Sequence, residues 1–157
     1  MALGIKKQLP VEHAPLPERV LTAKTIYIQN DTGYAEIGDA TYGHLKEWNR
    51  CQVVASKEKA DLVLVVSLAT SEQEGTEARH IHTYNSQTGA WVNGTVQEPS
   101  TTRWTFTRMK LIDGNTGETV WGDQRIWWRK HHPTQELIDS LRQRVEEQEK
   151  QAKTNTN

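Results

Sequence analysis

Few residues in this chain are spaced for chemistry. His80 and His82 are two apart, so on a strand both imidazoles project to one side. Two such side chains could begin a zinc site. A catalytic zinc usually takes three protein ligands, and no third ligand stands at a set spacing, so the pair reads as part of a solvated polar strand. His131 and His132 are adjacent and point apart in an extended chain; with Pro133 they read as a linker. Asp113 and Asn115 resemble the opening of a calcium loop. Its sixth position holds Glu118 instead of Gly and its twelfth holds Gln124 instead of Glu, so the segment reads as a hairpin turn. There is no Gly-x-Ser-x-Gly elbow, no phosphate-cradling glycine loop with Lys-Ser/Thr and no dinucleotide fingerprint. Two Asn-x-Thr triplets, at Asn30 and Asn93, are short enough to arise by chance. Cys51 reads as a small buried hydrophobe at the start of a strand. No catalytic residue, metal site or cofactor follows, and the expectation is a protein that is not an enzyme.

The aromatic residues are more informative. The chain has six Trp against one Phe. Trp104, Trp121, Trp127 and Trp128 fall close together, with Phe106 and Arg125 among them. They could be core residues and cross-strand pairs that stabilise a hairpin. They could also form an exposed surface for a protein partner or a glycan, because Trp buries a large area and keeps a polar tip. Trp127 and Trp128 are consecutive, so they face opposite sides if the strand continues. The candidate contact residues are therefore Trp104, Phe106, Trp121, Arg125, Trp127 and Trp128. Arg125, Arg129 and Lys130 interleave with them, but 19 basic residues against 20 acidic ones leave no basic stripe for nucleic acid.

At 157 residues this is one domain with tails. Its mean hydropathy is -0.76. No stretch approaches the roughly 20 apolar residues of a membrane-spanning helix. Pro10, Pro15 and Pro17 suggest an extended leader over residues 1–20. It contains no apolar run of a secretory signal, so the chain reads as cytoplasmic, or as periplasmic or secreted if a signal has been removed. Residues 151–157 are polar and expected to be disordered.

The elements that must hold these residues follow from periodicity. Lys24–Gln29 reads as a strand. Ile37, Ala40, Thr41, Leu45 and Trp48 give an amphipathic helix over 35–49, with Gly38 and Gly43 suited to close packing on a sheet. Gln52–Ala55 is a short strand. Asp61–Thr70 is apolar in both phases and so covered on both faces. Residues 71–103 are polar, with seven hydrophobic residues in 33. They read as a hairpin turning at 85–89 or as a mobile insertion. Arg103–Ile112 and Thr119–Trp128 form a second hairpin across the turn 113–118. A helix from 133 or 134 to about 150 carries Leu137, Ile138, Leu141 and Val145, with Glu146 and Lys150 paired on its outer face. The fold expected is α/β, in the order β-α-β-β-(polar hairpin or insertion)-β-β-α. It is a mixed sheet of about five strands with two helices packed on one face, in a single domain over 21–150. Two helices cover one face only. The insertion, the leader or a second subunit must then cover the other.

Three segments carry a resemblance: Thr25-Ile-Tyr-Ile-Gln-Asn30, Lys59-Ala-Asp-Leu-Val-Leu64 and Leu111-Ile-Asp-Gly-Asn-Thr-Gly-Glu-Thr-Val-Trp121. In these the sequence resembles small exported bacterial proteins of uncharacterised function. It is also similar in pattern to the αβ domain of the TolB amino-terminal region and of the curli-secretion and penicillin-binding-protein activator lipoproteins. The resemblance implies an anticodon-binding-domain-like fold, a cell-envelope location and a role as an interaction module. The function expected is a binding or assembly module that meets a protein partner or a second copy through an aromatic sheet face. The alternatives are a carbohydrate or small-ligand binding domain, and a hydrolase with 71–103 as its lid.

Overall fold

The computed structural model describes residues 13–127 and 132–155. In chain order the elements are α1 (Glu18–Thr22), β1 (Thr25–Asn30), α2 (Ala35–Trp48), β2 (Gln52–Val53), a 3-10 turn (Lys57–Lys59), β3 (Leu62–Asn85), β4 (Ala90–Asp113), β5 (Thr119–Ile126) and α3 (Thr134–Asn155). The five strands make one mixed sheet in the order β2-β1-β3-β4-β5. β1 runs parallel to β2 and β3, while β3, β4 and β5 are successively antiparallel. Both long helices pack on one face, as the apolar stripes require.

Alternation decides which residues meet those helices. Register places Ile26 beside Leu62, Leu64 beside Leu111 and Val66 beside Met109, and all of these are buried in the core. Ile37, Thr41 and Leu45 of α2 and Leu137, Ile138, Leu141 and Val145 of α3 close over them, each at most 3 % exposed. At this scale one fully buried Leu contributes about 1.5–3 kcal/mol. Gly38 lets α2 approach β1, since a Cβ there would lie 2.8 Å from Asn30 Nδ2. Gly43 has no such role: it is exposed, and nothing lies within 4 Å of a Cβ at that position.

Several expectations need correction. The segment 1–20 is not wholly an extended leader, because Glu18–Thr22 is helical and buries Val20 against the core, with Leu16 beside it. That apolar pair outweighs the extended bias of the prolines before it. Residues 151–155 continue α3 instead of being disordered. Glu146 pairs with Arg142, N–O 2.9 Å, and not with Lys150. The polar segment 71–103 is a hairpin: β3 and β4 are each 24 residues long, and their outer parts run on beyond the rest of the sheet. Its turn lies where expected: Asn85 C=O accepts from Gly89 N–H at 2.8 Å, with Gly89 at φ +66°.

Candidate functional site

The segments that carry the family resemblance act as structural pegs. Asn30 Oδ1 accepts from Thr32 N at 3.1 Å and from Thr32 Oγ1 at 2.5 Å, and Asn30 Nδ2 donates to Tyr34 C=O at 2.8 Å. Together these bonds fold the link from β1 to α2. Asp61 Oδ2 accepts from Lys24 N at 2.9 Å and Thr25 N at 3.2 Å, and these backbone bonds hold its carboxyl below its ordinary range. Asp113 is buried and pairs with Arg19 of α1 at 3.0 Å. The adjoining Gly114 N–H donates to Asp61 C=O at 2.8 Å. Cys51 is half-buried; its thiol donates to Ala23 C=O at 3.5 Å, and burial pushes its pKa up, which keeps it protonated and unreactive.

The sheet face away from the helices carries Tyr27, Gln29, Val63, Val65, Ser67, Phe106, Arg108, Lys110, Ile112, Gln124 and Ile126. Among the described residues only Val63 is fully buried there, and Lys110, Gln124 and Ile126 are exposed. The segment 71–103 does not fold back over this face, and α1 packs on the helix side against α3. Residues proposed from sequence as one contact surface divide between the two sides. Trp104 and Phe106 lie on the open face, half-buried, opposite Ser71 and Ala69. Trp121 and Arg125 lie on the helix side, because they pair with Leu111 and Thr107. Trp127 follows β5, stacks edge-on with Tyr34 at 5.7 Å and contacts His132 at 4.8 Å. Trp128 lies outside the described residues. The reason for the split is the two-residue period of a strand.

Trp121 and Arg125 instead edge a polar cleft of about 570 Å³ between β5 and α3, with Asp123, Ser140 and Arg144. Ser140 Oγ donates to Asp123 Oδ2 at 3.0 Å, and Arg125 lies 3.4 Å from the same oxygen. A smaller space beneath α1 is apolar and holds about 20 Å³, room for a single water. His80 and His82 are exposed on the outer hairpin and border neither space. Among the described residues no three His, Cys, Asp or Glu side chains converge as metal ligands.

The dominant feature is the hairpin itself. Among the described residues, neither strand has another neighbour in the sheet beyond Thr70 and Thr105. Ser71–Asn85 pairs with Ala90–Trp104 as a bare two-stranded ribbon. Fourteen steps of about 3.3 Å make it roughly 45 Å long. Apart from Gly94 and Ser100, every residue from Thr70 to Arg103 is exposed. Cross-strand ion pairs stiffen it: Arg103 with Glu72 at 2.5 Å and Arg79 with Glu98 at 3.2 Å. Near its polar turn it exposes several apolar side chains. Ile81, Val92 and Val96 share one face, while Tyr84 and Trp91 stack at 5.3 Å on the other, with Trp91 68 % exposed.

The ribbon's two edges differ. Thr105 C=O accepts from Trp127 N–H at 2.7 Å, so residue 105 turns its backbone groups away from β3. In an antiparallel ladder this alternates, so residues 103, 101, 99, 97, 95, 93 and 91 of β4 do the same. Pro99 falls in that series and removes a donor from the middle of the edge. On β3, Val66 C=O accepts from Asp31 N–H at 2.8 Å, which sets the even residues outward. Thr70, Glu72, Glu74, Thr76, Ala78, His80, His82 and Tyr84 therefore offer an unbroken row of donors and acceptors. Sequence reasoning missed the ribbon's length. The signal was present: the turn at 85–89 lies midway between the strongly apolar strands on either side.

No family model matches the chain, and no curated protein matches it. Several solved structures are similar. The PelC dodecamer from Paraburkholderia phytofirmans is 17% identical, with 78% of this chain and 86% of that chain covered and a TM-score of 0.40. A neuraminyllactose-binding hemagglutinin homolog from Helicobacter pylori is 10% identical, covering 76% and 68%, at TM-score 0.35. Lipoprotein GNA1162 from Neisseria meningitidis is 13% identical, covering 80% and 96%, at TM-score 0.32.

Proposed function

We propose that this chain is a binding or assembly module of the cell envelope that acts by contact and not by catalysis. The observation that carries this reading is the solvated ribbon of β3 and β4. A two-stranded hairpin is marginally stable in water, and an open strand edge is a template for another chain. A ribbon of some 45 Å with large apolar side chains exposed near its outer turn is built to be covered. The open sheet face at its base, with Trp104 and Phe106, extends the same surface. The envelope location is the part implied by the sequence resemblance, and fractionation of cells carrying the full-length protein tests it. Association is tested by light scattering over a concentration series. The expected result is a species larger than the monomer, reverting to monomer when the ribbon is removed. A chain that stays monomeric, with its ribbon amides exchanging freely at every concentration, removes self-assembly from this reading.

A second reading, a carbohydrate or small-ligand site, is favoured by the β5–α3 cleft. It sets an indole beside charged and hydroxyl groups. Tryptophan fluorescence titrated with cell-wall fragments tests it, and an unchanged spectrum removes it.

A further inference from the structure

We propose that two copies of this chain join through the outer edge of β3, antiparallel about a two-fold axis at Glu77. The proposal rests on the assembly reading above and names the partner as a second copy. β4 is the poorer edge because Pro99 interrupts it, whereas β3 presents the backbone groups of every even-numbered residue from Thr70 to Tyr84. An edge that pairs with its own image must match outward-turned residues with outward-turned residues, so even numbers pair with even numbers.

The side chains select the register. With the axis at residue 77, Glu72 lies opposite His82 of the second copy and Glu74 opposite His80. Thr76 then faces Ala78, and Thr70 faces Tyr84. All of these share one face of the ribbon, because they are all even-numbered. The two acidic and two imidazole residues stand symmetrically about 77, so each is complemented twice in the pair. Shifting the axis by one residue leaves only one Glu–His match per copy. This register also gives the aromatic pair near the tip a place. Tyr84, stacked on Trp91, reaches the level of Thr70 in the second copy. Thr70 pairs with Thr105, which bonds Trp127, and Trp127 contacts the exposed Tyr34. The unfavourable contact is Glu77 facing its own image, with Glu98 opposite it in each ribbon and Arg79, two residues away on the same side, pairing with Glu98.

The experiment places a single cysteine on the axis. In a Cys51→Ser background, Glu77→Cys falls at a close, non-hydrogen-bonded pair, within the Cα separation a disulfide accepts. Mild oxidation of the full chain is expected to convert it to a covalent dimer. Gln97→Cys, equally exposed on the β4 edge, is expected to stay monomeric. Glu77→Gln should tighten association by removing the axial repulsion. Glu74→Lys should weaken it several-fold, and adding His80→Glu should restore it. The proposal is overturned if the position-77 thiols do not couple, or if position 97 couples equally well. If the chain self-associates by light scattering while position 77 stays uncoupled, this edge is wrong and the assembly reading stands. If it is monomeric throughout, self-assembly falls in both.

Discussion

Asp61 closes the run Lys59-Ala-Asp61, and its carboxylate holds the two N–H groups that open β1. Because those bonds favour the charged form, the folded pKa lies below the ordinary value of 3.8. The stabilisation is therefore present above that value and is lost as pH falls through the lower folded one. Asp61→Ala should cost about 1 kcal/mol at neutral pH. The gap from wild type should shrink as urea unfolding is repeated toward pH 3. A gap independent of pH would show that the carboxylate's charge is not what matters. Gly114 is needed for a different reason. A Cβ there would lie 2.2 Å from Ala60 C=O, on backbone that cannot step aside. Gly114→Ala should lower stability by about 1–3 kcal/mol, read as a fall in melting temperature. Gly75→Ala, with nothing within 4 Å, should not.

Among the elements, the two long helices and the inner halves of β3 and β4 were legible in the sequence, because each buries one stripe at a fixed period. Leu137, Ile138, Leu141 and Val145 are buried as their spacing requires. The ribbon was harder to read because burial is what writes a period into sequence. From Glu72 to Pro99 almost nothing is buried, so neither face leaves an apolar alternation. The contact residues were harder still. Trp104 and Trp121 look like neighbours in composition, yet the register sends one to each side of the sheet. Replacing residues 74–101 by Asn-Gly, joining Gln73 to Thr102, should leave the core's unfolding midpoint nearly unchanged, since the excised part buries no core residue. A large loss of stability in thermal unfolding would mean that the ribbon supports the fold.

The whole molecule is a sandwich with one slice missing. Met109 and Ile126 show the asymmetry within one sheet. Met109 is fully buried under the helices, and Ile126 is 50 % exposed on the open side. Met109→Ala should cost about 2–5 kcal/mol, whereas Ile126→Asp should cost less than about 0.5 kcal/mol in the isolated chain. Chemical denaturation of the two variants checks both, and an equal cost would mean that the open face is packed. Pro99 has a consequence at this scale. A ribbon sticky along both edges would recruit a neighbour on each side, then another beyond each, and grow into a fibre. With a proline set into one edge, the proposed pairing along the other is satisfied by a single two-fold partner. If two copies pair as proposed, one imino acid separates a closed pair from an open-ended polymer, and Pro99→Thr is the change that should turn that dimer into a filament.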